Sequence, residues 1–428
     1  MTASTHGSPS RSSPLSGSPS LLSRAMGRRD VLRAGLGSLV LGGAQGLGLA
    51  PLFTTAAAAA SANPNRILVV VELSGGNDGL NTIVPYGDDA YYRARPRIGI
   101  KPQSLRKLDD HFGMQNTMSG FERLYRNGQM AIIHGVGYPQ PSFSHFSSMA
   151  YWQTAAPNRG SSYGWMGALA DVLDPDQQRN YIVNIDTNQS LAIASRNHVP
   201  LVFDDPAQFS RALFADQLPV LDPVLKRDVK GTMVNQFMNE ITQSAIYSQQ
   251  LVREAWGSFK TPIDYGLVRF GLDKVAALIN AQFPTRLFYL SYRHNAFDTH
   301  VYQADLHARL WTYTSDHFAA FMADMARMGR AEDVVLLAFS EFGRRVQENT
   351  SQGTDHGTAG PVFVMGKPVR GGFYGQAPSL TKLDDGNMIY TTDFRQVYAT
   401  LMREWLGVAD VRPILGSDFA SLNMFSSV

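Results

Sequence analysis

The segment Ile67–Leu73 is the feature that most constrains how this chain can fold. It is a continuous, largely β-branched apolar run, which is typical of a strand buried on both faces of a parallel sheet. Similar short runs alternate with segments of helical spacing along the chain. The predicted strands are Ile67–Leu73, Met130–Val136, Tyr181–Ile185, Arg286–Tyr292, Val334–Phe339 and Pro361–Met365. The predicted helices are Met118–Asn127, one from about Met149, Tyr302–Met328 and Thr392–Leu406. This order predicts an α/β fold with a mostly parallel central sheet and helices on both faces.

The predicted domain organisation is a leader over residues 1–62 and a single domain over 63–428. Within that domain, residues 205–283 look mostly helical, with apolar positions spaced at three and four between Pro223 and Trp256. We interpret this segment as a helical insertion or cap on the sheet.

The N-terminal segment has the pattern of an export signal. Arg28 and Arg29 precede a stretch without charge from Ala34 to Ala62, and its end contains Ala-x-Ala cleavage patterns. Paired arginines before a glycine-rich, mildly apolar stretch favour a twin-arginine signal, with the twin-arginine export machinery as a partner and a periplasmic or secreted destination. The alternative is an uncleaved membrane anchor, since the run is long enough to span a bilayer. Cleavage would leave no stable membrane span.

Charge and composition exclude several classes of function. The chain has 428 residues and a net charge of +2, but residues 1–62 carry five arginines and a single acid, so the rest has a net charge of about −2. This balance gives no electrostatic reason to expect a nucleic-acid partner. Cysteine is absent, so disulfides, thiolate ligands and cysteine nucleophiles are excluded, and the 10 histidines and the carboxylates are the candidate transition-metal ligands.

Polar clusters follow four of the predicted strands. In an open α/β sheet, ligands bind beyond the carboxyl ends of the strands, so these clusters are expected to meet at one edge. Carboxylates and imidazoles gathered there would suit a divalent metal that polarises an ester oxygen. The clusters are Asn77 and Asp78; Ser142, Ser144 and His145; His294, Asn295, Asp298 and His300; and Ser340, Glu341, Arg344 and Arg345 followed by Asp355 and His356.

Each cluster also has a structural interpretation. Asp78 follows a Gly-Gly turn and could be a turn residue or a helix N-cap. Asp298 could cap the long helix that follows it, and Glu341 could pair with Arg344 at the end of a strand. The coincidence of four strand ends, more than any one cluster, supports a functional site.

The ordered motifs resemble a known bacterial family. The motifs are 73–79 (LSGGNDG), 144–146 (SHF), 297–300 (FDTH), 340–344 (SEFGR), 353–357 (GTDHG) and 363–372 (FVMGKPVRGG). Together, over about residues 65–410, they resemble the secreted family catalogued as domain of unknown function 1501, which is grouped with the alkaline phosphatase and sulfatase superfamily. The resemblance implies an alkaline phosphatase-like fold and a site with one or two divalent metal ions.

The resemblance also implies a role for individual residues. The implied metal ligands are Asp78, Asp298, His300, Glu341, Asp355 and His356, with Asp78 bridging two ions and His307 as a possible substitute. The implied catalytic residues are Ser144, His145 and Arg344, with Ser142 as an alternative to Ser144 as the nucleophile. The implied substrate-binding residues are Asn77 and Arg344, which would hold anionic oxygens.

Two departures from the superfamily pattern narrow the expected function. Phe342 after Glu341 removes a histidine expected for a second metal, which favours one ion or an oxygen-preferring ion, with Zn²⁺, Mg²⁺, Mn²⁺ and Ca²⁺ all open. Without cysteine there is no cysteine-derived formylglycine, so phosphate-type esters are favoured over sulfate-type esters. We therefore expect an exported metal-dependent hydrolase of such esters. The alternative is a non-catalytic exported protein that keeps the fold and binds a surface polymer or assists assembly.

Overall fold

The computed structural model describes residues 64–209, 247–268, 271–292 and 294–425. The predicted leader over 1–62 lies outside these residues. None of the helices in the described ranges has both the length and the hydropathy of a membrane span. All described residues belong to one of the two units into which the chain divides, Thr54–Val428.

All six predicted strands are present, together with further short strands that were not predicted. In the described ranges the strands are β1 (Ile67–Leu73), β2 (Ile83–Val84), β3 (Leu105–Lys107), β4 (Gly113–Gln115), β5 (Met130–Gly137), β6 (Ile182–Ile185), β7 (Leu201–Phe203), β8 (Leu287–Tyr292), β9 (Val334–Phe339), β10 (Gly360–Met365), β11 (Gly372–Tyr374), β12 (Leu383–Asp384), β13 (Asn387–Met388) and β14 (Thr392–Asp393). The helices are α1 (Asp89–Ala94), α2 (Ser119–Arg126), α3 (His145–Thr154), α4 (Trp165–Leu173), α5 (Leu272–Asn280), α6 (Gln303–Arg327), α7 (Phe394–Thr400) and α8 (Arg412–Leu415). Residues 247–258 are also helical.

The central sheet is mixed but mostly parallel. Its strand order is β11-β5-β10-β9-β1-β8-β6-β7, with β14 added beside β5. Strand β1 lies between β8 and β9 and is parallel to both, while β10 is antiparallel to its neighbours β9 and β5. The predicted fold class, a mostly parallel sheet with helices on both faces, is confirmed.

The two faces of β1 explain why six of its seven residues are apolar. Ile67, Val69 and Val71 pack into the hydrophobic layer that contains α2, α5 and α6. Leu68 and Val70 point to the opposite layer, which contains α3, α4 and α7. Because successive side chains of a strand alternate between faces, a strand covered on both sides has no polar face.

Helix α3 begins earlier in the sequence than predicted. The prediction of a helix from about Met149 is wrong at its start, because the backbone becomes helical at His145, with Ser144 as the N-cap. The helix is held in place by Trp152, whose ring stacks on Phe339 at 4.8 Å and on Phe394 at 4.5 Å between ring centroids. This packing fixes where the first residue of α3, His145, lies.

Two other predictions differ from the structure in detail. The closing helix does not start at Thr392: Thr392 and Asp393 form β14, and a capping box between Asp393 and Gln396 starts α7. The described parts of residues 205–283 include helical residues 247–258 and α5. Val252 and Val275 from these helices are buried in the same layer as Val69. A helical insertion or cap over the whole of 205–283 stays a prediction, since 210–246 lie outside the described residues.

Glu72 is the exception to the apolar character of β1. It is buried, accepts hydrogen bonds from Tyr289 Oη, from Gln153 Nε2 at 2.9 Å and from Ser291 Oγ at 3.1 Å, and burial raises its pKa from 4.5 to about 7. Between pH 4.5 and about 7, the Glu72 carboxyl is therefore protonated in the native state and ionised in the unfolded chain. Stability from this group is complete below about pH 4.5 and is lost as the pH rises through about 7.

We expect Glu72→Gln to remove this pH dependence. The shift corresponds to about 3 kcal/mol in the free energy of unfolding, which the wild type loses between acidic and slightly alkaline pH and the variant retains. Urea unfolding at pH 4.5 and pH 8 measures the difference. Glu332→Gln, at an exposed carboxylate paired with Lys367, is the control. An identical pH dependence in wild type and Glu72→Gln would contradict the assignment.

Candidate metal centre

Loops from three strand ends, those of β5, β8 and β9, meet beyond the carboxyl edge of the sheet. His145 opens α3 after β5, Asp298 and His300 lie between β8 and α6, and His356 lies between β9 and β10. The described residues contain a group in which His145, Asp298 and His356 each place a nitrogen or oxygen within 4.8 Å of the others. The chain thus brings together residues that are up to 211 positions apart in the sequence.

The Asp298 carboxylate is the centre of this group. Its Oδ1 lies 2.9 Å from His300 Nε2 and 3.2 Å from His356 Nε2, and its Oδ2 lies 3.4 Å from His145 Nε2. His300 Nε2 also lies 3.0 Å from His356 Nε2. Three imidazoles therefore direct the same ring nitrogen toward one carboxylate.

An oxygen atom faces the opposite nitrogen of each imidazole. His145 Nδ1 is 2.7 Å from Glu341 Oε1, His356 Nδ1 is 2.7 Å from the carbonyl oxygen of Phe143, and His300 Nδ1 is 3.5 Å from Asp355 Oδ1. These acceptors favour a proton on Nδ1, which would leave the Nε2 lone pair facing the cluster for a metal ion. Such outer acceptors orient metal-binding histidines in known sites.

The donor set fits a divalent metal ion. His145 Nε2 is buried and has no hydrogen-bond partner among the described residues, which is costly for a polar atom unless it meets another ligand. Two or three imidazoles with one carboxylate are ligands that Zn²⁺ and similar borderline ions accept, whereas Mg²⁺ and Ca²⁺ prefer oxygen. We infer that His145, Asp298 and His356, with His300 beside them, could hold one such ion.

Glu341 was predicted as a metal ligand and lies behind His145. Its carboxylate accepts hydrogen bonds from the backbone N–H of Gly75 at 2.9 Å and of Gly76 at 3.0 Å, in addition to His145. Gly75 has φ +121°, and a Cβ there would lie 2.4 Å from the Asp298 backbone nitrogen. The glycine pair thus lets the β1 loop lie against both Glu341 and the Asp298 loop.

Arg344 was predicted as a catalytic and substrate-binding residue, and both roles stay predictions. In the structure its side chain is buried in contact with Asp298. Its side chain is fully buried and donates to Asp298 Oδ1 at 2.6 Å, to the carbonyl oxygens of Gly75 and Gly76 at 2.6 Å and to that of Thr354 at 2.8 Å. Burial raises the pKa of Asp298, but the Arg344 hydrogen bond and charge outweigh it and hold that pKa below its usual value. The guanidinium therefore keeps Asp298 ionised and in place.

Asp78 takes part in a separate buried network. Its carboxylate pairs with Arg95 at 2.6 Å, accepts from Gln303 Nε2, and caps the short helix Gly79–Asn81 through Leu80 N at 3.2 Å. Burial opposes its ionisation, but Arg95 holds the pKa of Asp78 below its usual value. The geometry matches the helix-cap alternative for Asp78 and supplies no contact with the Asp298 cluster among the described residues.

Asn77 and His307 are joined in a buried network that is separate from the three clustered histidines. Asn77 Oδ1 accepts from Trp311 Nε1 and His307 Nε2, each at 3.0 Å. Burial lowers the pKa of His307 to about 4, so this imidazole is neutral at physiological pH. Asn77 is buried, and its amide oxygen is occupied by protein donors.

The two candidate serines lie on the exposed approach to α3. Ser144 Oγ accepts from Ser147 N at 3.5 Å as the N-cap, and Ser142 Oγ accepts from Ser144 N at 3.2 Å. Asp355 is half-exposed and accepts from Asn349 Nδ2 at 3.1 Å as well as facing His300. The serine hydroxyls have no contact with the imidazoles among those that the structure describes, so a nucleophilic role for either stays a prediction.

We expect Glu341→Gln to weaken divalent metal binding about 10–100-fold, as loss of an outer acceptor does in known sites. The side-chain amide of the glutamine would place N–H hydrogens against the N–H donors of Gly75, Gly76 and His145, which now point at the carboxylate. Competition with a chelator measures the Zn²⁺ dissociation constant. Glu348→Gln is the matched control, because Glu348 is also buried but pairs with Arg97. An unchanged constant in Glu341→Gln would contradict the orienting role.

We expect Asp78→Asn to lower the free energy of unfolding by about 3–5 kcal/mol, because Arg95 would become an uncompensated buried charge. Metal stoichiometry should not change. Denaturant titration and elemental analysis of the folded variant measure the two effects. Loss of bound metal with unchanged stability would instead support the predicted role of Asp78 as a ligand.

The chain is similar to several solved structures at low identity. It shares 10% identity with the C-terminal periplasmic domain of EcEptC from Escherichia coli in complex with Zn, covering 72% of this chain and 74% of that one with a TM-score of 0.35. It shares 9% identity with a protein in the alkaline phosphatase superfamily from Vibrio parahaemolyticus, covering 83% of this chain and 70% of that one with a TM-score of 0.39. It shares 12% identity with the PsFucS1 sulfatase from Pseudoalteromonas sp., covering 88% of this chain and 77% of that one with a TM-score of 0.38.

The sequence comparison gives the family. No curated protein matches this chain. Residues 65–404 match the family model described as protein of unknown function (DUF1501), which covers most of the chain and nearly the range predicted from the motifs. The chain therefore belongs to the DUF1501 family.

Proposed function

We propose that this protein is a metal-dependent hydrolase of phosphate-type esters, with sulfate-type esters as the second substrate class. The observation that carries the proposal is the convergence of three imidazole Nε2 atoms on the Asp298 carboxylate, each imidazole held by an oxygen at Nδ1. His145 Nε2 is buried, makes no hydrogen bond to another described residue and lies 3.4 Å from Asp298 Oδ2, a placement that suits a metal ligand.

The proposal takes one ion, with Zn²⁺ as the first candidate. The groups gather at a single point, and Asp78, the residue expected to bridge two ions, pairs with Arg95. When bound, such an ion supplies Lewis acidity, which polarises an ester oxygen and lowers the pKa of a coordinated water or hydroxyl. The imidazole-rich donor set supports Zn²⁺ over the oxygen-preferring ions.

The residues of the chain itself would orient the substrate and the attacking group. Because α3 begins at His145, the positive end of its dipole lies at the cluster, where it favours an anionic ester. Ser144 precedes His145, is exposed, and makes only a long cap interaction with its hydroxyl. We propose Ser144 as the nucleophile, activated by the adjacent site.

We expect turnover of 4-nitrophenyl phosphate or a phosphodiester analogue that is lost on chelation and restored by Zn²⁺. Ser144→Ala should abolish turnover while metal content stays at the wild-type level. Ser104→Ala, at an exposed serine that lines neither the cluster nor the cleft, is the control. Full activity in Ser144→Ala would exclude the nucleophile assignment, and no turnover of any phosphate or sulfate ester by the metal-loaded protein would contradict the hydrolase.

The second candidate is a non-catalytic exported protein that keeps the fold and its metal. The observation that favours it is Arg344, whose guanidinium donates to four protein oxygens and is therefore not free to bind an anionic substrate. Under this alternative the protein binds a surface polymer or assists assembly of other exported proteins.

We further propose that the protein acts outside the cytoplasm, in the periplasm or after secretion, delivered by the twin-arginine machinery. The paired Arg28 and Arg29 before a charge-free stretch support this location. A protein exported in the folded state could acquire its metal before translocation, which suits a site assembled from distant loops.

A further inference from the structure

The described residues form an open cleft of about 730 Å³ that is separate from the metal centre. Its walls come from the C-terminal end of α3, the loop over residues 155–164, the turn at 196–197 and residues 413–417. Ligand sites typically occupy about 300–1,000 Å³, so this cleft can hold a ligand of several rings.

The cleft lining carries more positive than negative charge, with three arginines and one aspartate. Arg159, Arg196 and Arg395 line it, and we call it the cationic cleft. Arg395 pairs with Asp393 at 2.6 Å, but neither Arg159 nor Arg196 has a carboxylate partner in the part of the chain that the structure describes. The one acid in the lining, Asp171, accepts from Ser195 Oγ, from the backbone N–H of Arg196 at 3.2 Å and from His198 Nδ1 at 3.0 Å.

The remaining lining suits hydroxyl groups more than an apolar ligand. Amide and hydroxyl side chains, including Gln140, Asn197 and Ser417, face the same space. The Arg196 guanidinium lies 4.9 Å over the centre of the Tyr163 ring. This stacking holds the planar guanidinium at the wall of the cleft. Planar guanidinium groups recognise carboxylate, sulfate and phosphate, and the amides can pair with sugar hydroxyls.

One wall of the cleft contains non-glycine residues with positive φ. Gln140, Ala155 and Asn158 have φ of 53°, 54° and 62°, a region that non-glycine residues enter at a cost of about 1–3 kcal/mol each. Asn158 Nδ2 donates to the carbonyl oxygens of Pro139 and Gln140 at 3.1 and 3.3 Å and so holds this wall in place. Such strain is concentrated at functional sites.

The cationic cleft and the metal centre share one helix. His145 begins α3 at the metal centre, and Thr154 ends it in the cleft lining. Nine residues at the helical rise separate the two by about 14 Å. We propose that the cationic cleft is a binding site for an anionic oligosaccharide, distinct from the metal centre and independent of whether that centre is catalytic.

The test uses labelled oligomers of known charge with the full chain as it is purified. The probes are an oligogalacturonate, which carries carboxylates, an oligomer of dextran sulfate, and neutral dextran of matched length. Fluorescence anisotropy gives each dissociation constant. We expect binding of an anionic probe, no binding of neutral dextran, and weakening with added salt. The carboxylated and sulfated probes distinguish the two sources of negative charge.

Matched variants separate a built site from general attraction. Arg159→Ala/Arg196→Ala should weaken binding of the anionic probe at least tenfold, because both unneutralised cations are removed. Arg93→Ala/Arg253→Ala removes the same charge at exposed arginines outside the cleft and should change binding less than twofold. Ser417→Glu, an exposed position on the cleft rim, should also weaken binding without loss of a packed side chain.

Three outcomes would overturn the proposal. They are an equal loss in both arginine pairs, binding of neutral dextran as tight as that of the charged probes, and no binding of either anionic probe. Repeating the titration in His356→Ala keeps the test separate from the metal centre. Retained probe binding there is expected, and its loss would show that the probe occupies the metal centre instead.

Discussion

The buried guanidinium of Arg344 is the interaction on which the site depends. It joins the loop after β1, through Gly75 and Gly76, to Asp298 after β8 and to Thr354 before β10. A buried charge is stable only when it is paired and fully hydrogen-bonded, and removing one partner typically costs about 3–5 kcal/mol. Because its acceptors come from three loops, each loop has one favourable position relative to the others.

Glu341 completes this arrangement from the same strand end. Its carboxylate accepts hydrogen bonds from the backbone N–H groups of Gly75 and Gly76, whose carbonyl oxygens accept from Arg344. The same carboxylate accepts a hydrogen bond from His145, the first residue of α3. Ser148 Oγ, one turn along α3, donates to the backbone carbonyl oxygen of Glu341 at 2.6 Å. Glu341 therefore orients His145, and Arg344 orients Asp298. Hydrogen-bonded residues behind the ligands have the same effect in known metal sites. Glu341 and Arg344 do not pair with each other among the described contacts, contrary to one structural interpretation of the sequence.

Much of the fold could be predicted from the sequence because burial on both faces leaves a strong local signal. Strands β1 and β9 have the predicted bounds, and α6 differs by one residue at each end. The short strand β7 and the position of β14 were missed, because segments of two or three residues carry no periodicity. The start of α3 was missed because Ser144 and the polar residues after it have the composition of a loop, although serine is also a favoured N-cap.

The location of the candidate site was predictable, but the division of labour within it was not. The rule that ligands bind beyond the carboxyl ends of strands places His145, Asp298 and His356 at one edge. No spacing in the sequence shows that Glu341 and Arg344 orient these groups, since this depends on contacts between loops more than 40 residues apart. Arg95, which pairs with Asp78, gave no signal at all, because an arginine at the end of a short helix has the pattern of a surface residue.

Elemental analysis of the purified protein tests the central claim, that this edge of the sheet is a metal site, most directly. The account predicts about one equivalent of a divalent transition metal per chain, lost in His145→Ala and in His356→Ala and retained in His111→Ala, a histidine exposed elsewhere. Protein that carries no divalent metal, and takes up none on dialysis against Zn²⁺ or Mn²⁺, would contradict it.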